Sequence, residues 1–374
     1  MNKKFKKLML LAVSGILCLS LWHQQVEVNA SAQSSIEAKE STVKTGFFTG
    51  TDGSLYYANV QGSIVKNRSI KHKKNVYFAD TQGRILRKTF VYYDGKKYSK
   101  SAEGLGTIKS KYYVDENGRR KDSARLKVDG KYYYTKKNGK LYIDTMVTYK
   151  SKKYYVNKNG AVAPNRWITR NSSLYRTNGK GEVRKSQSFK RKKAKFTVNK
   201  AGKVVNTVMP IPALYQYDYP HLSFGNVTIK SHGCGVVATT MAMRYLTGKN
   251  ISVKRMRNIA NPYFDPASAI DRGKVFDEFF MKAAKTYGKK VEITTSAKKA
   301  LAAAKKGSAV LSFQRRPSIF ANYGHFIVIK AVDSKNKVRI NDPYDTSKKN
   351  YNKRTFDFYK DINKSSIKYV IFSH

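Results

Sequence analysis

The chain has 374 residues, with 74 Lys and Arg against 24 Asp and Glu, a formal net charge of +50, and two cysteines, Cys18 and Cys234. One thiol beyond the N-terminal segment excludes a disulfide-stapled scaffold and a cysteine-based metal site, so packing has to stabilise what the length sizes as about two domains. Charge of this size bears on partners rather than on fold, and it directs the search for them toward anions.

Residues 1–30 read as an export signal. Lys3, Lys4, Lys6 and Lys7 form a basic start, residues 8–22 an apolar stretch, and Val28-Asn29-Ala30 a small-x-small cleavage pattern. The stretch is short for a membrane span and no stop-transfer segment follows, so we expect cleavage after Ala30 and a secreted, extracellular product with no membrane span. Cys18 follows Leu17 rather than a small residue, which argues against a lipid-modified cysteine. The absence of structural disulfides suits a Gram-positive type of cell exterior. A polar Ser/Glu/Ala leader occupies residues 31–43.

Over residues 44–207 glycines recur at Gly62, Gly83, Gly104, Gly118, Gly139, Gly160, Gly181 and Gly202, in steps of 21 residues except for one step of 14 between Gly104 and Gly118. Six residues before each stands an aromatic: Tyr56, Tyr77, Tyr98, Tyr112, Tyr133, Tyr154, Tyr175 and Phe196. The short step predicts a shortened unit around Gly104 to Gly118. Each unit reads as strand, turn, strand, with glycine supplying the positive φ that a tight turn needs. One hairpin cannot bury its own aromatic face, whereas stacked hairpins can, so the expected form is an all-β hairpin-repeat solenoid. Its sixteen tyrosines have two readings, solenoid core or binding surface.

Residues 31–207 carry 41 basic and 12 acidic groups, and residues 208–374 carry 29 and 11, so the positive charge is concentrated in the repeats. This favours an electrostatic partner, an anionic cell-wall polymer such as teichoic acid or polysaccharide. Alternating basic and aromatic residues also occur in single-strand nucleic-acid binders, a partner that export argues against. The repeats resemble the cell-wall-binding or glucan-binding repeats of Gram-positive surface proteins, which use Tyr- and Gly-rich units of similar length. The choline-binding version of that family relies on tryptophan cages; here Trp167 stands alone, so choline recognition does not carry over.

At residue 208 the period stops. Apolar spacing predicts helices over 234–246, 274–287 and 296–306, ended by Gly248, Gly288 and Gly307, and strands over 309–313, 326–332, 338–340 and 369–372. Helices followed by strands point to an α+β domain over 208–374.

Cys234, in Ser231-His232-Gly233-Cys234-Gly235, opens the first of these helices, where unpaired N–H groups and the helix dipole favour a thiolate. Gly233 and Gly235 would leave room for a substrate backbone. The plainer reading is a small buried side chain. A cysteine nucleophile needs a base. His232 reads as a loop residue, His221 lies in a loop and His374 is terminal, whereas Gly324-His325 precedes an apolar strand and can hold an imidazole rigidly. The return strand ends at Asn341-Asp342-Pro343, delivering Asp342 near His325 to orient the ring, with Asn341 and Asp345 as alternatives. The side-chain amide of Gln216, with the N–H of Cys234, could bind an oxyanion. No cofactor and no metal are expected.

These residues in this order resemble the papain-like cysteine peptidases, nearest to the secreted, 39-like branch of cysteine peptidase family 39, relatives of the bacteriocin leader-processing peptidases. The resemblance implies an α+β papain-like domain in which Cys234 is the nucleophile, His325 the base, Asp342 its orienter and Gln216 the oxyanion residue. Leader-processing members are fused to membrane transporters; here an export signal and repeats replace them, so leader cleavage does not carry over. The expected activity is hydrolysis of peptide bonds, or of wall cross-link amides in peptidoglycan, by a wall-associated cysteine peptidase. A transpeptidase would use the same residues. The rival from another class is a cationic surface adhesin with an inactive peptidase-like domain.

Overall fold

The computed structural model describes residues 44–264, 275–320 and 322–374. The expected export signal (1–30) and leader (31–43) lie outside the described residues.

The repeats form seven antiparallel hairpins, one example being Thr145–Tyr149 against Lys152–Val156. Each ends in the same tight turn, in which the glycine N–H donates to the carbonyl three residues earlier, as Gly160 does to Asn157 at 2.8 Å. At six of the seven turns an Asn or Asp at that earlier position braces it, the exception being Lys136 before Gly139. The Oδ1 of Asn59, Asp80, Asp115, Asn157 and Asn178 accepts the N–H groups two and four residues on. The turns then chain the units together: Ile85, Arg120, Leu141, Val162 and Val183 donate N–H to the carbonyls of Leu55, Val76, Lys111, Tyr132 and Lys153, one unit back, at 2.7–2.8 Å. Tyr77, Tyr112, Tyr133, Tyr154 and Phe196 are buried, so these members of the aromatic stripe are core.

The shortened unit expected around Gly104 to Gly118 is an enlarged hairpin instead. Thr89–Tyr93 pairs with Ser110–Val114 across an inserted loop whose Tyr98–Ser99 adds to the other edge of Thr89–Tyr93. Asp94 organises the loop. It accepts N–H from Lys96, Lys97 and Gly106, and those bonds, Lys97 foremost, hold its carboxyl down at about 2. Gly104 has φ +71° like the repeat glycines, but a Cβ there would meet nothing within 4 Å. At Gly118, Gly181 and Gly202 a Cβ would meet Ile85, Val162 and Val183 of the preceding unit at 2.9, 2.2 and 2.7 Å.

A nine-stranded, fully antiparallel sheet follows. In chain order its strands are β1 (Gln187–Arg191), β2 (Ala194–Val198), β3 (Val204–Val208), β4 (Lys290–Thr294), β5 (Ala309–Gln314), β6 (His325–Asp333), β7 (Lys337–Asn341), β8 (Phe356–Asp357) and β9 (Ser366–Ser373). The spatial order is β1-β2-β3-β6-β5-β9-β4, with β7 pairing β6 and β8. The sheet therefore runs across the boundary expected at residue 208: the last repeat hairpin, β1–β2, joins β3, and β3 pairs with β6 at residues 331–333. The two predicted blocks, helices then strands, are also broken by β4, whose Lys-Val-Glu-Ile-Thr alternation lies between helices.

The helices are α1 (Ile229–His232), α2 (Cys234–Thr247), α3 (Val253–Ala260), α4 (Val275–Thr286) and α5 (Ala297–Lys305). Buried residues span the circumference of α2, from Val236 and Val237 through Met241 and Ala242 to Leu246, which makes it a core helix packed on β5 and β6. Gly248, with φ +76°, ends it. The core around α2 reaches back into the repeats, taking in Leu174, Phe196 and Val198. α3 escapes the periodicity search, although Ser252 caps it and Val253, Met256 and Ala260 form its buried stripe.

Candidate active site

Cys234 is the first residue of α2, half-buried, directly after the single turn of α1. The intervening Gly233 is required by packing. A Cβ on it would lie 2.5 Å from the Ile229 carbonyl oxygen and 2.6 Å from Ile229 Cγ2. The space expected there for a substrate backbone is thus occupied by α1.

His325 opens β6, opposite Gln314 of β5, and on the other edge Val328 pairs with Asn341 of β7. That register carries Asp342 one step past the strand end, diagonal to His325, within the reach of same-face side chains. His325 Nε2 lies 2.6 Å from Asp342 Oδ1, which also accepts the Tyr344 N–H at 2.7 Å, while Asp342 Oδ2 is buried with no hydrogen-bond partner. The carboxyl is fully buried, and Asn352 holds its backbone on both sides. Neither alternative meets the histidine. Asn341 is tied to the Ile211 carbonyl and the Lys330 ammonium, and Asp345 accepts the N–H groups of Tyr351 and Asn352.

The Cys234 sulfur shares the cleft with the His325 ring and acts on its charge. With Nε2 committed to Asp342, Nδ1 is the nitrogen left for the sulfur. Burial alone would depress this imidazole, but the Asp342 carboxylate and the Cys234 sulfur outweigh it, and its pKa is pushed up to about 10.

Gln216, in the 3₁₀ turn Gln216–Asp218, is buried between the two halves of this arrangement. Its N–H donates to the Pro343 carbonyl at 2.8 Å, beside Asp342, and its Nε2 donates to the Lys230 carbonyl in α1 at 2.7 Å. One amide hydrogen remains for another acceptor.

Gln216, Cys234 and His325 line one cleft of about 670 Å3, with Asp342 behind the histidine. His232 lines it too, whereas His221 and His374 do not. Phe and Tyr side chains supply much of the wall, Phe313, Tyr323 and Tyr344 among them, and no Asp or Glu among the described residues lines it. Lys349 also lines the cleft. Its type and spacing gave no signal in so lysine-rich a chain. Among the described residues no group of three or more His, Cys, Asp and Glu could hold a metal ion, and no helix is long and apolar enough to cross a membrane.

A thiol, an imidazole and a buried carboxylate in series, with an amide donor alongside, match the demands of acyl transfer. Residues 208–367 match the model described as the Peptidase_C39 like family. This region is a peptidase family 39-like domain. The match covers the cleft and its four polar residues, and stops short of the repeats. No curated protein matches the chain.

Solved structures similar to it include CbpJ from Streptococcus pneumoniae TIGR4, with 21% identity and a TM-score of 0.34 over 43% of this chain and 48% of that one. The modular autolysin LytC from Streptococcus pneumoniae, in complex with a synthetic peptidoglycan ligand, has 20% identity and a TM-score of 0.26, over 43% and 38%. Choline binding protein F from the same species, in the presence of a peptidoglycan analogue, has 23% identity and a TM-score of 0.24, over 43% and 58%. The chain thus spans less than two thirds of each.

Proposed function

We propose that the protein is a secreted, wall-associated cysteine peptidase of papain-like mechanism, with Cys234 as nucleophile, His325 as base and acid, Asp342 as the group that orients His325, and Gln216 as oxyanion donor. The observation that carries this reading is the His325–Asp342 pair, with its imidazole on the same cleft as Cys234 and Gln216.

In the forward step Cys234 Sγ bonds to the carbonyl carbon of a peptide or cross-link amide, and its proton resides on His325 Nδ1. The second amide hydrogen of Gln216 and an N–H from the first turn of α2 receive the oxyanion. As the C–N bond breaks, His325 passes the proton to the leaving amine. Water then adds to the thioester, giving its proton to the same ring, and Cys234 is released as thiol with a free acid product. Asp342 keeps Nε2 protonated and stabilises the imidazolium throughout.

The repeats supply the wall affinity in this reading. Their carboxylates are largely used internally: Asp52, Asp80, Asp94 and Asp115 brace turns, while Asp122, Asp144 and Glu182 face Arg120, Arg170 and Lys152. Aromatic faces are covered by the chain's own cations, Lys111 over Phe90 at 4.2 Å and Arg125 over Tyr132 at 3.9 Å. The remaining lysines stay free for a polyanion, and the stacked hairpins would present them as a solenoid surface.

The test compares wild type with Cys234→Ala on purified Gram-positive walls and on a denatured protein, following released amines. We expect amine release with wild type only, and equal wall binding by both. Wall binding with no Cys234-dependent product on either substrate would leave the adhesin reading ahead.

A further inference from the structure

We propose that Lys349 is a carboxylate receptor in the cleft, selecting substrates that carry an acidic side chain or a free C-terminal carboxylate close to the scissile bond. The proposal rests on the cysteine-peptidase reading and names the chemistry of its substrate.

Lys349 differs from the many solvated lysines of this chain. It lies on the segment that follows Asp342, which is fixed by Asp345, whose two carboxylate oxygens accept the Tyr351 and Asn352 N–H groups at 2.8 and 2.9 Å. Ser347, Lys348 and Asn350 around it are exposed, whereas Lys349 is half-buried and lines the cleft. Its ammonium sits 4.8 Å from the centre of the Tyr344 ring and is steadied by two long contacts, 3.4 Å to the Phe320 carbonyl and 3.3 Å to the Tyr344 carbonyl.

An ammonium has three donors. Two are met weakly by neutral acceptors, and no carboxylate among the described residues pairs with this one. Among the described residues no Asp or Glu lines the cleft to compete for it. A half-buried cation with donor capacity left, facing a largely apolar cleft, attracts an anion more strongly than a solvated one does. The large apolar groups beside it, Ile319 at 52% and Tyr323 at 73% exposure, offer surface for a neighbouring uncharged side chain of the same substrate.

The experiment digests an equimolar library of synthetic peptides, half with free C-terminal acids and half with C-terminal amides, using wild type, Cys234→Ala, Lys349→Gln and Lys349→Glu. Mass spectrometry reads the cleavage sites. Wild type should cut Cys234-dependently, with roughly fivefold enrichment of a carboxylate at one position, the scale of a charge-assisted contact in a half-open site. Enrichment of Asp and Glu within both halves identifies a side-chain carboxylate, and preference for the free-acid half identifies a terminus. Lys349→Gln should lose the enrichment and Lys349→Glu should transfer it to Lys and Arg, a gain that a misfolded variant cannot imitate. Cys234-dependent cleavage with no acidic preference, or with a preference that survives Lys349→Gln, overturns the proposal and leaves the peptidase reading intact. Absence of any Cys234-dependent cleavage overturns both.

Discussion

Two opposing forces meet on the ring of His325. Burial disfavours its cation, while the Asp342 carboxylate at 2.6 Å and the Cys234 sulfur favour it, and the balance raises the pKa from 6.5 to about 10. A folded-state pKa above the unfolded one makes protonation stabilising. That contribution is complete below about pH 6.5 and is lost as the pH climbs through about 10. The melting-temperature advantage of wild type over His325→Gln should therefore shrink across that window. In Asp342→Asn the counter-charge goes and burial remains, so the sign reverses, and stability should fall as the pH drops and the buried ring is forced to take a proton. The same variant should lose roughly 10²- to 10⁴-fold in kcat, the cost of an unsupported base. Melting curves for Asp342→Asn that track wild type from acid to alkaline pH would show that the pair does not set the ring's charge. Sequence order alone left Asn341, Asp342 and Asp345 open, because strand register decides which one meets the histidine, and register is fixed by pairing between residues far apart in the chain.

At the scale of the element, the repeats were legible because each turn solves its problem locally. Glycine supplies the positive φ, and at all but the Gly139 turn an Asn or Asp three residues earlier braces it, a second regularity present in the sequence. The α2, α4 and α5 helices and strands β5, β6, β7 and β9 also answer to local periodicity, and the helix and strand ends expected from it fall within three residues of those observed. The inserted loop was misread because Tyr98 and Gly104 imitate the repeat spacing without its packing. Alanine separates the two kinds of glycine. Both Gly118 and Gly104 have positive φ, +78° and +71°, so either substitution bears a left-handed strain of about 1–2 kcal/mol. At Gly118 the new methyl also meets Ile85 Cγ2 at 2.9 Å and the Leu86 carbonyl at 3.1 Å, and overpacking adds roughly 1–3 kcal/mol. Circular-dichroism melts should show Gly118→Ala well below Gly104→Ala, and coincident curves would mean that the glycine serves the turn alone.

Across the whole molecule the repeats and the peptidase-like region share one sheet and one core. Composition placed a boundary at residue 208, where the period stops, but a composition change records only local sequence, whereas the pairing of β3 with β6 joins residues more than a hundred positions apart in the chain, and Phe196 and Val198 are buried in the core around α2 on the far side of that boundary. A chain beginning at residue 208 would lose β1 and β2 and keep only the last residue of β3, baring the edge of β6 at 331–333 and the apolar surface that Phe196 covers. An unpaired edge beside exposed core invites association. A chain of residues 187–374 keeps all nine strands. It should melt cooperatively and retain any Cys234-dependent cleavage of soluble peptide, whereas residues 208–374 should aggregate or melt broadly. The complementary piece, residues 44–186, keeps six of the seven hairpins. It should bind purified walls by itself, and weaken steeply as salt rises, because exposed charges are screened within about 10 Å at 0.1 M ionic strength and about 3 Å at 1 M. Wall binding indifferent to salt would refute the electrostatic reading of the repeats. Equal behaviour of the 187–374 and 208–374 chains would instead show that the last hairpin decorates the sheet without completing it.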